Sequence, residues 1–281
     1  MKDTVELNAP AKINLTLEVG GVREDGYHSI RSIMAPISLF DTVTLTRADD
    51  VSCKCTRPLP TDDDNIAYKA AKLFFEKTGI VGGVEIMIKK RIPVSAGMAG
   101  GSTDAAAVLR GLNEIYGAGL SEKELCEIGV ILGADVPFCI VSKPCLAEGI
   151  GEILTPIKIQ RRIPLVVTIG NEGASTKQMY QKIDSLGERE SFSHREMLHY
   201  LAVGNIKKIA RNMRNDFELC FDDESGVAES RRTLLENGAI AAMMSGSGSS
   251  VFGVYNSLSD ARNAVEGVRK NNKFGWYCTT I

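Results

Sequence analysis

Neither sign of charge predominates in this sequence of 281 residues. Its 33 lysines and arginines stand against 35 aspartates and glutamates, which leaves a formal net charge of −2. Dedicated nucleic-acid-binding proteins usually carry a basic excess on one face, so this class is disfavoured. Long apolar runs are also missing, because the longest candidate, residues 129–141, contains Asp135 and Pro137 and is too short to span a membrane. Residues 1–12 lack the apolar core of a secretory signal, so we expect a cytoplasmic protein.

Cysteines are scattered along the chain without a recognisable metal or disulfide pattern. There are seven of them, and the C-x-C pair Cys53 and Cys55 has no second pair and no histidine partner at metal-ligand spacing. An odd number in a long chain is typical of reduced cysteines that act as small buried hydrophobes in a cytosolic protein. We therefore expect neither a disulfide framework nor a resident metal site.

The order of the apolar patterns predicts a two-lobed α+β protein with a boundary near residue 158. The length allows one large domain or two of modest size. Early in the chain, Ile13, Leu15 and two further apolar residues alternate with polar ones, which predicts a half-buried strand. Lys12 and Asn14 share one face of that strand, because side chains at i and i+2 point the same way.

Capping signals and periodicity place the individual elements. Residues 62–65 cap a predicted helix over 66–77, which ends at Gly79. The Ser-x-x-Glu pattern predicts capping boxes at Ser121–Glu124 and Ser193–Glu196. In the second lobe we expect strands at 163–169, 239–244, 250–255 and 275–280 and helices at 176–186, 194–202, 205–221, 225–237 and 259–270.

The sharpest functional signal is a loop of small residues, 94–104, that leads into a helix-forming stretch over 105–113. Its glycines and hydroxyls are Gly97, Gly100, Gly101, Ser102 and Thr103. The glycines let the backbone approach a ligand, and the unpaired N–H groups at the start of the helix favour an anion. The hydroxyls add donors for phosphate oxygens or ligands for a cation. A tight turn without a ligand is the alternative, but such a turn needs only one or two glycines.

This loop matches none of the common nucleotide-binding signatures. A Walker A loop requires a lysine where Gly101 is followed by serine, and no G-x-G-x-x-G occurs in the chain. The H-R-D and D-F-G elements of protein kinases are missing as well. If phosphates bind here, the lysine and the acid that complete the site come from elsewhere in the chain.

Two titratable residues in apolar surroundings are candidates for that role. Lys12 lies in the alternating strand, and Asp135 lies in the mostly apolar stretch 133–138. A buried carboxylate needs a partner, which a lysine supplies. Asp135 would accept or orient the proton of a hydroxyl, while Lys12 would keep it ionised and stabilise charge on a transferred phosphoryl group. The alternatives are that Lys12 lies on an exposed face and that Asp135 caps a turn before Pro137.

Four further segments allow a simple structural explanation as well as a functional one. Residues 245–250 suit either a flexible hairpin or a loop that closes over phosphates. Tyr27 and His28 could stack on a planar ligand and hydrogen-bond its edge, although such residues are common in turns. The basic residues 89–91 and 161–162 are most simply solvated strand ends.

Taken together, these segments resemble the superfamily of galactokinase, homoserine kinase, mevalonate kinase and phosphomevalonate kinase over nearly the whole chain. Residues 9–15 are similar to its first motif, residues 92–107 to its phosphate-binding motif and residues 244–249 to its third motif. Residues 25–28 resemble an element of its branch with cytidyl substrates. The resemblance implies a two-lobed small-molecule kinase fold, with an N-terminal lobe like the ribosomal-protein-S5-like domain and a C-terminal ferredoxin-like lobe.

The same resemblance implies an ATP-dependent kinase that phosphorylates a cytidyl diphosphate substrate, with Mg²⁺ carried by ATP. Residues 1–158 would bind ATP and hold the catalytic pair Lys12 and Asp135, and residues 159–281 would lie on the substrate side. The implied ATP-binding residues are Asn65, Lys90, Pro93, Val94, Ala96, Gly97, Met98, Ala99, Gly100, Gly101, Ser102 and Thr103. The implied substrate-binding residues are Asn14, Tyr27, His28, Asp135 and Thr176.

Other functions stay open at this point. A kinase of the homoserine or mevalonate type would have no use for the cytidyl element at Tyr27 and His28. A non-catalytic ligand sensor on the same fold would need neither Lys12 nor Asp135. An RNA-binding protein with a similar β-α-β lobe would bind in a salt-dependent way, and the net charge disfavours it.

Overall fold

The structure, a computed structural model, describes residues 3–170, 175–187, 189, 191–271 and 274–281. The chain divides into two compact units. The first unit comprises Met1–Ala11, Leu39–Val94 and Ala99–Ser142, and the second unit comprises Lys12–Ser38, Ser95–Met98 and Lys143–Ile281. The expected division at residue 158 stays a prediction.

Three strands come first along the described residues, and runs of helices and strands follow. The strands are β1 (Thr4–Val22), β2 (His28–Ala48), β3 (Ser52–Cys55), β4 (Gly83–Lys89), β5 (Cys145–Glu148), β6 (Ile153–Pro156), β7 (Pro164–Ile169), β8 (Arg214–Asn215), β9 (Ala241–Met244), β10 (Ser250–Val254) and β11 (Trp276–Thr279). The helices are α1 (Ile66–Thr78), α2 (Gly100–Tyr116), α3 (Glu122–Leu132), α4 (Val136–Val141), α5 (Thr176–Ser185), α6 (His194–Val203), α7 (Ile206–Arg211), α8 (Gly226–Glu236) and α9 (Leu258–Asn271). None of the described helices is both long and apolar enough to cross a membrane.

The first unit packs a helical layer beside an edge of β-sheet. Strand β4 pairs antiparallel with β2 and parallel with β3. Helices α1 to α4 pack on one another, and the small buried residues Ala105–Ala107 of α2 allow close approach. Helix α1 begins and ends as predicted, because the Asn65 side chain accepts from the Ala67 N–H and Gly79 takes up the left-handed conformation.

The second unit contains a four-stranded antiparallel sheet in the order β11-β7-β10-β9. Numbered along the chain, these four strands lie in the order 4-1-3-2, with helices α8 and α9 packed against them. This is the arrangement of a ferredoxin-like lobe, which confirms the expected C-terminal architecture. The same unit contains β5 paired with both β2 and β6, and β8 paired parallel with β1.

Strand β1 is not the half-buried strand that its alternating sequence predicts. Residues 11–17 are buried without interruption, so both faces of this stretch are covered by protein. Lys12 and Asn14 therefore lie in the interior, at 5% and 2% exposure. The prediction that they share a face is confirmed by the hydrogen bond between them, and the alternative of a solvated Lys12 is wrong.

Two other predictions of secondary structure need correction. The single helix expected over 205–221 is wrong: α7 ends at Arg211 and is followed by β8 and by a 3₁₀ turn over Asp216–Cys220. Asn215 explains the break, because its side-chain amide donates to the carbonyls of Met244 and Gly246. The helix expected from residue 105 begins five residues earlier, at Gly100.

Of the two predicted capping boxes, one forms and the other does not. The box at Ser121 and Glu124 is confirmed. Ser193 does cap α6, but its hydroxyl accepts from the Arg195 N–H, and the expected reciprocal bond from Glu196 is not part of the cap. None of the seven cysteines forms a disulfide, as expected.

Candidate functional site

The small-residue loop takes a strained, alternating backbone path before α2. Ser95, Gly97 and Ala99 all have φ between 53° and 73°, in the left-handed region. Residues in the left-handed region are one element of the backbone turns that bind anions. Ala99 is the N-cap of α2 and supplies no side-chain hydrogen bond to the first turn. The N–H groups at the start of α2 are therefore available for an anion.

Within the second unit, residues 95–98 dock on the small-residue loop between β9 and β10. The Ser245 hydroxyl donates to the Gly97 carbonyl at 3.1 Å, and the Ser250 N–H donates to the Ala96 carbonyl at 3.1 Å. A Cβ at Gly97 would overlap the Ser245 carbonyl oxygen and would lie 3.0 Å from the Gly248 nitrogen. Only glycine fits here, because both the φ angle and the close backbone approach exclude a side chain.

We expect Gly97→Ala to lower the free energy of unfolding by more than the matched substitution Gly117→Ala. Both positions have positive φ, 73° and 60°, but Gly117 has open space where a Cβ would be placed. The left-handed conformation alone costs alanine about 1–2 kcal/mol. Denaturant unfolding of the two variants measures the difference, and equal losses would show that the Ser245 contact does not constrain Gly97.

The second unit also brings Lys12 to this pair of loops. The Lys12 backbone N–H donates to the Met98 carbonyl at 3.2 Å. Its ammonium donates to Asn14 Oδ1 at 2.8 Å and lies 3.3 Å from where a Cβ of Gly246 would be. Segments 12–14, 95–98 and 245–248, which the sequence analysis selected separately, therefore meet in one place. The remaining substrate candidate, Thr176, contacts the same loop, with its hydroxyl 3.1 Å from that of Ser247.

A third group of side chains in the second unit surrounds His28. Its ring stacks on Tyr180 with 4.7 Å between ring centroids, and Nδ1 lies 3.1 Å from the Gly20 carbonyl oxygen. Because a carbonyl only accepts, Nδ1 carries a proton. Nε2 lies 3.4 Å from the Asp184 carboxylate, one helical turn after Tyr180 on α5. Tyr27 is 61% exposed, as a ring that stacks on a ligand would be.

Sequence reasoning missed Tyr180, Asp184 and Asn215. The signal for the first two was their i, i+4 spacing, which places both on one face of an amphipathic helix. Asn215 lay inside a stretch that was interpreted as helix, so its role in holding residues 244–246 was hidden.

Asp135 belongs to the first unit and lies between two helices. Gly133 ends α3, and Asp135 stands at the N-cap position of α4, followed by Pro137 in the first turn. Its side chain makes no capping hydrogen bond to α4. Its side chain is half-buried. The predicted catalytic roles of Asp135 and Lys12 stay predictions.

Lys90, expected among solvated basic residues, is buried in the first unit. Its ammonium donates to Asp41 Oδ2 at 2.5 Å, to Asp104 Oδ2 at 2.6 Å and to the Gly100 carbonyl at 3.2 Å. Burial by itself lowers the pKa of Lys90, but the carboxylates of Asp104 and Asp41 raise it above its ordinary value. The ammonium therefore anchors the start of α2, and the implied contact with adenosine stays a prediction. Sequence reasoning missed both aspartates.

Asp104 makes stability depend on pH. Burial raises its pKa from 3.8 to about 7, opposed by Lys90 and assisted by Asp41. Between these values the folded chain retains a proton that the unfolded chain has lost, so we expect the free energy of unfolding to fall as pH rises from about 4 to about 7. Asp104→Asn should flatten this decline in pH-dependent unfolding, whereas the exposed Asp63→Asn should leave it unchanged. Parallel curves for Asp104→Asn and the wild type would contradict this expectation.

The remaining residues predicted to bind the nucleotide differ in which groups are accessible to a ligand. Asn65 is engaged by the α1 cap and by a bond from its amide to the Pro60 carbonyl at 2.8 Å. Pro93, Ala96 and Met98 are buried, so a ligand would meet their backbone, while Val94 is exposed. Thr103 is 1% exposed, and its hydroxyl has no hydrogen-bond partner among the described residues.

The fold and these loops define a GHMP kinase, the class named after galactokinase, homoserine kinase, mevalonate kinase and phosphomevalonate kinase. The profile of the GHMP kinases N terminal domain matches residues 65–143, and that of the GHMP kinases C terminal region matches residues 197–273. A crystal structure of L. major mevalonate kinase shares the fold, with a TM-score of 0.77, 18% identity and coverage of 100% of this chain and 97% of that one.

Proteins of higher sequence identity show to which family of GHMP kinases the chain belongs. A 4-diphosphocytidyl-2-C-methyl-D-erythritol kinase of Alkaliphilus metalliredigens is 44% identical over 93% of this chain and 91% of its own length. That of Clostridium tetani is 42% identical over 99% and 100%. A crystal structure of 4-(cytidine 5'-diphospho)-2C-methyl-D-erythritol kinase has a TM-score of 0.83 and 34% identity, covering 98% of both chains. The chain belongs to the 4-diphosphocytidyl-2-C-methyl-D-erythritol kinase family, and it is a kinase that uses ATP.

Proposed function

We propose that this chain transfers the γ-phosphoryl group of ATP to the 2-hydroxyl of 4-diphosphocytidyl-2-C-methyl-D-erythritol, a step of non-mevalonate isoprenoid precursor synthesis. The observation that carries the proposal is the buried Lys12, bonded through its backbone to Met98 of the glycine-rich loop. Phosphoryl transfer needs donors that stabilise negative charge, and a buried ammonium beside a backbone anion site would supply them. We further propose that the reaction takes place in the cytoplasm.

Phosphoryl transfer passes through a loose transition state, so catalysis depends on positioning and on charge stabilisation. The N–H groups of the loop and of the first turn of α2 would hold the phosphates. Lys12 would stabilise the charge on the transferring group. Asp135 would accept or orient the proton of the attacking 2-hydroxyl, whose oxygen forms the new P–O bond while ADP leaves.

The implied Mg²⁺ fits the oxygen donors at the start of α2. The described residues contain no group of three His, Cys, Asp or Glu side chains that could hold a metal ion. Thr103 has an unpartnered buried hydroxyl, and Ser102 beside it is half-buried. Magnesium usually binds through substrate phosphates with few protein ligands, so these hydroxyls would hold an ion that arrives with ATP and neutralises phosphate charge.

For the nucleotide we propose the loop residues together with Asn65 and Lys90. The backbone of residues 93–101 would contact phosphates, because Ser95, Gly97 and Ala99 take the left-handed conformation that occurs in anion-binding turns. The Lys90 ammonium already donates to two carboxylates. It would therefore influence adenosine binding indirectly, through its hydrogen bond to the Gly100 carbonyl.

For the acceptor we propose that Tyr27 stacks on the cytosine and that His28 reads its edge. Tyr180 and Asp184 hold the His28 ring at its face and at Nε2. Asn14 would lie near the reacting hydroxyl, since it is bonded to Lys12, and Thr176 near the loop at Ser247. The proposed partners are therefore small molecules, with neither nucleic acid nor membrane among them.

We expect the double substitution of Tyr27 and His28 by alanine to weaken the use of the cytidyl substrate while ATP affinity is kept. Loss of base stacking alone costs about 1–3 kcal/mol per base, which is about 5- to 150-fold in kcat/KM. Steady-state kinetics with each substrate varied in turn measures both effects. Equal losses for ATP and for the cytidyl substrate would place these rings outside the acceptor site.

The decisive experiment is a coupled assay of ADP formation with four acceptors. We expect turnover with the cytidyl substrate and none with galactose, mevalonate or homoserine. Preference for mevalonate or homoserine would identify another kinase of the class. Nucleotide binding without turnover of any acceptor would indicate a ligand sensor, and salt-dependent RNA binding would indicate a nucleic-acid partner.

A further inference from the structure

Lys12 is the first member of a chain of three hydrogen bonds that runs through the buried part of the second unit. Its ammonium donates to Asn14 Oδ1 at 2.8 Å. The Asn14 amide nitrogen donates to Ser32 Oγ at 2.8 Å, and the Ser32 hydroxyl donates to the Thr16 carbonyl oxygen at 2.6 Å. Asn14 is 2% exposed, and Ser32 and Thr16 are 0% exposed, so water does not compete for these groups.

The direction of every bond in this chain is determined from its far end. The Thr16 carbonyl can only accept, so the single proton of the Ser32 hydroxyl points toward it. Toward Asn14 the same hydroxyl can then only accept, and the amide must present its NH₂ group to Ser32. The amide oxygen of Asn14 is consequently turned toward Lys12, whose ammonium can only donate.

Without the Ser32 oxygen, the Asn14 NH₂ group loses the acceptor that holds it, and the Lys12 ammonium alone favours one orientation of the amide. A half-turn of the amide would place its NH₂ group against the Lys12 ammonium, donor against donor. Lys12 would then lose an acceptor at a buried position, where an unmade bond to a charged group is costly. Ser32, on β2, therefore holds the side of the Asn14 amide that lies opposite the Lys12 ammonium.

We propose that Ser32 is a positioning residue for Lys12 that acts by fixing the orientation of the Asn14 amide. The inference rests on the proposed function, in which Lys12 stabilises the transferring phosphoryl group. Ser32 itself contacts neither substrate nor nucleotide in this account. Its influence on the rate depends on Asn14, and this dependence separates it from a residue that merely supports the sheet.

The test is a cycle of Ser32→Ala, Asn14→Ala and the double variant. We expect Ser32→Ala to lower kcat about tenfold, as the loss of one charge-assisted hydrogen bond in the transition state would. The KM for ATP should change less than about twofold, because ground-state binding is unaffected. In the Asn14→Ala background, Ser32→Ala should change kcat less than about twofold, because the amide that transmits its effect is gone.

The matched control is Thr16→Val, which removes an equally buried hydroxyl from the same pair of strands. Thr16 Oγ1 accepts from the Ile33 N–H at 2.9 Å, while the Thr16 carbonyl that receives the Ser32 proton is kept. We expect Thr16→Val to lower stability and to leave kcat near the wild-type value. A loss of kcat equal to that of Ser32→Ala, or independent effects of Ser32 and Asn14 in the cycle, would overturn the proposal.

A second readout separates this inference from the proposed function. In the wild type the side-chain amide protons of Asn14 should exchange slowly with water, as measured by NMR on ¹⁵N-labelled protein, and Ser32→Ala should make them exchange fast. Fast exchange already in the wild type would refute the hydrogen-bond chain. If the wild type turned over no cytidyl substrate but showed the expected exchange, the proposed function would fail while the control of Asn14 by Ser32 stood.

Discussion

Asp135→Ala is expected to lower kcat by about 100- to 10,000-fold, the range for loss of a general base, while nucleotide binding is retained. The carboxylate is the proposed acceptor of the hydroxyl proton, and alanine can neither accept nor orient it. Because the Asp135 side chain makes no capping hydrogen bond at α4, its removal takes no side-chain cap from that helix. Steady-state kinetics with the cytidyl substrate and calorimetric titration with a non-hydrolysable ATP analogue measure the two properties.

The matched control for Asp135→Ala is Ser121→Ala, at the N-cap of the preceding helix. Ser121 does cap α3, in a box with Glu124, so its removal should cost about 1 kcal/mol of stability and leave kcat unchanged. Unchanged turnover in Asp135→Ala would exclude the proposed mechanism. A loss of stability like that of Ser121→Ala, without a loss of rate, would make Asp135 a structural residue.

Lys12→Met is expected to lower kcat by about 100- to 1000-fold, as does the removal of one preorganised donor from a site of developing charge. Methionine has nearly the same length as lysine and is apolar, so it suits a side chain that is only 5% exposed. The variant should therefore fold, and its Asn14 amide would lose one donor. Single-turnover kinetics at saturating ATP measures the chemical step directly.

Lys54→Met provides the comparison for Lys12→Met. Lys54 pairs with Glu85 at 2.7 Å, but its side chain is 62% exposed, so the pair contributes little to stability. We expect unchanged turnover and a change in unfolding free energy below about 1 kcal/mol. If Lys12→Met kept the wild-type rate of the chemical step, an ammonium at that position would have no part in phosphoryl transfer.

Local signals in the sequence were sufficient to predict many of the helices and strands. They also predicted that Lys12 and Asn14 lie on one face of a strand. Helix α1 follows from a capping asparagine and a terminal glycine, Asn65 and Gly79, which act within one turn of the helix. The shared face of Lys12 and Asn14 follows from strand geometry alone. Predictions of this kind succeed because the interacting residues are close in the chain.

Interactions between distant segments were not predictable in this way. The break before Arg214 depends on pairing with Thr16 and on bonds from Asn215 to residues 244–246, none of which leaves a local trace. Lys90 was interpreted as exposed because it stands among basic residues. Its partner Asp104 had one usable signal, a carboxylate at the start of an apolar, alanine-rich helix, where burial without a counter-charge is costly.

The order in which the chain is synthesised adds a consequence of the pairing between β1 and β8. Thr16 and Arg214 are partners in the second unit, and 214 − 16 = 198 residues separate them. At a synthesis rate of about 5–20 residues per second, Arg214 emerges about 10–40 s after Thr16. During that interval on the ribosome, β1, which contains Lys12 and Asn14, lacks its pairing with β8. The group proposed to handle the phosphoryl charge is thus synthesised long before the strand that flanks its segment.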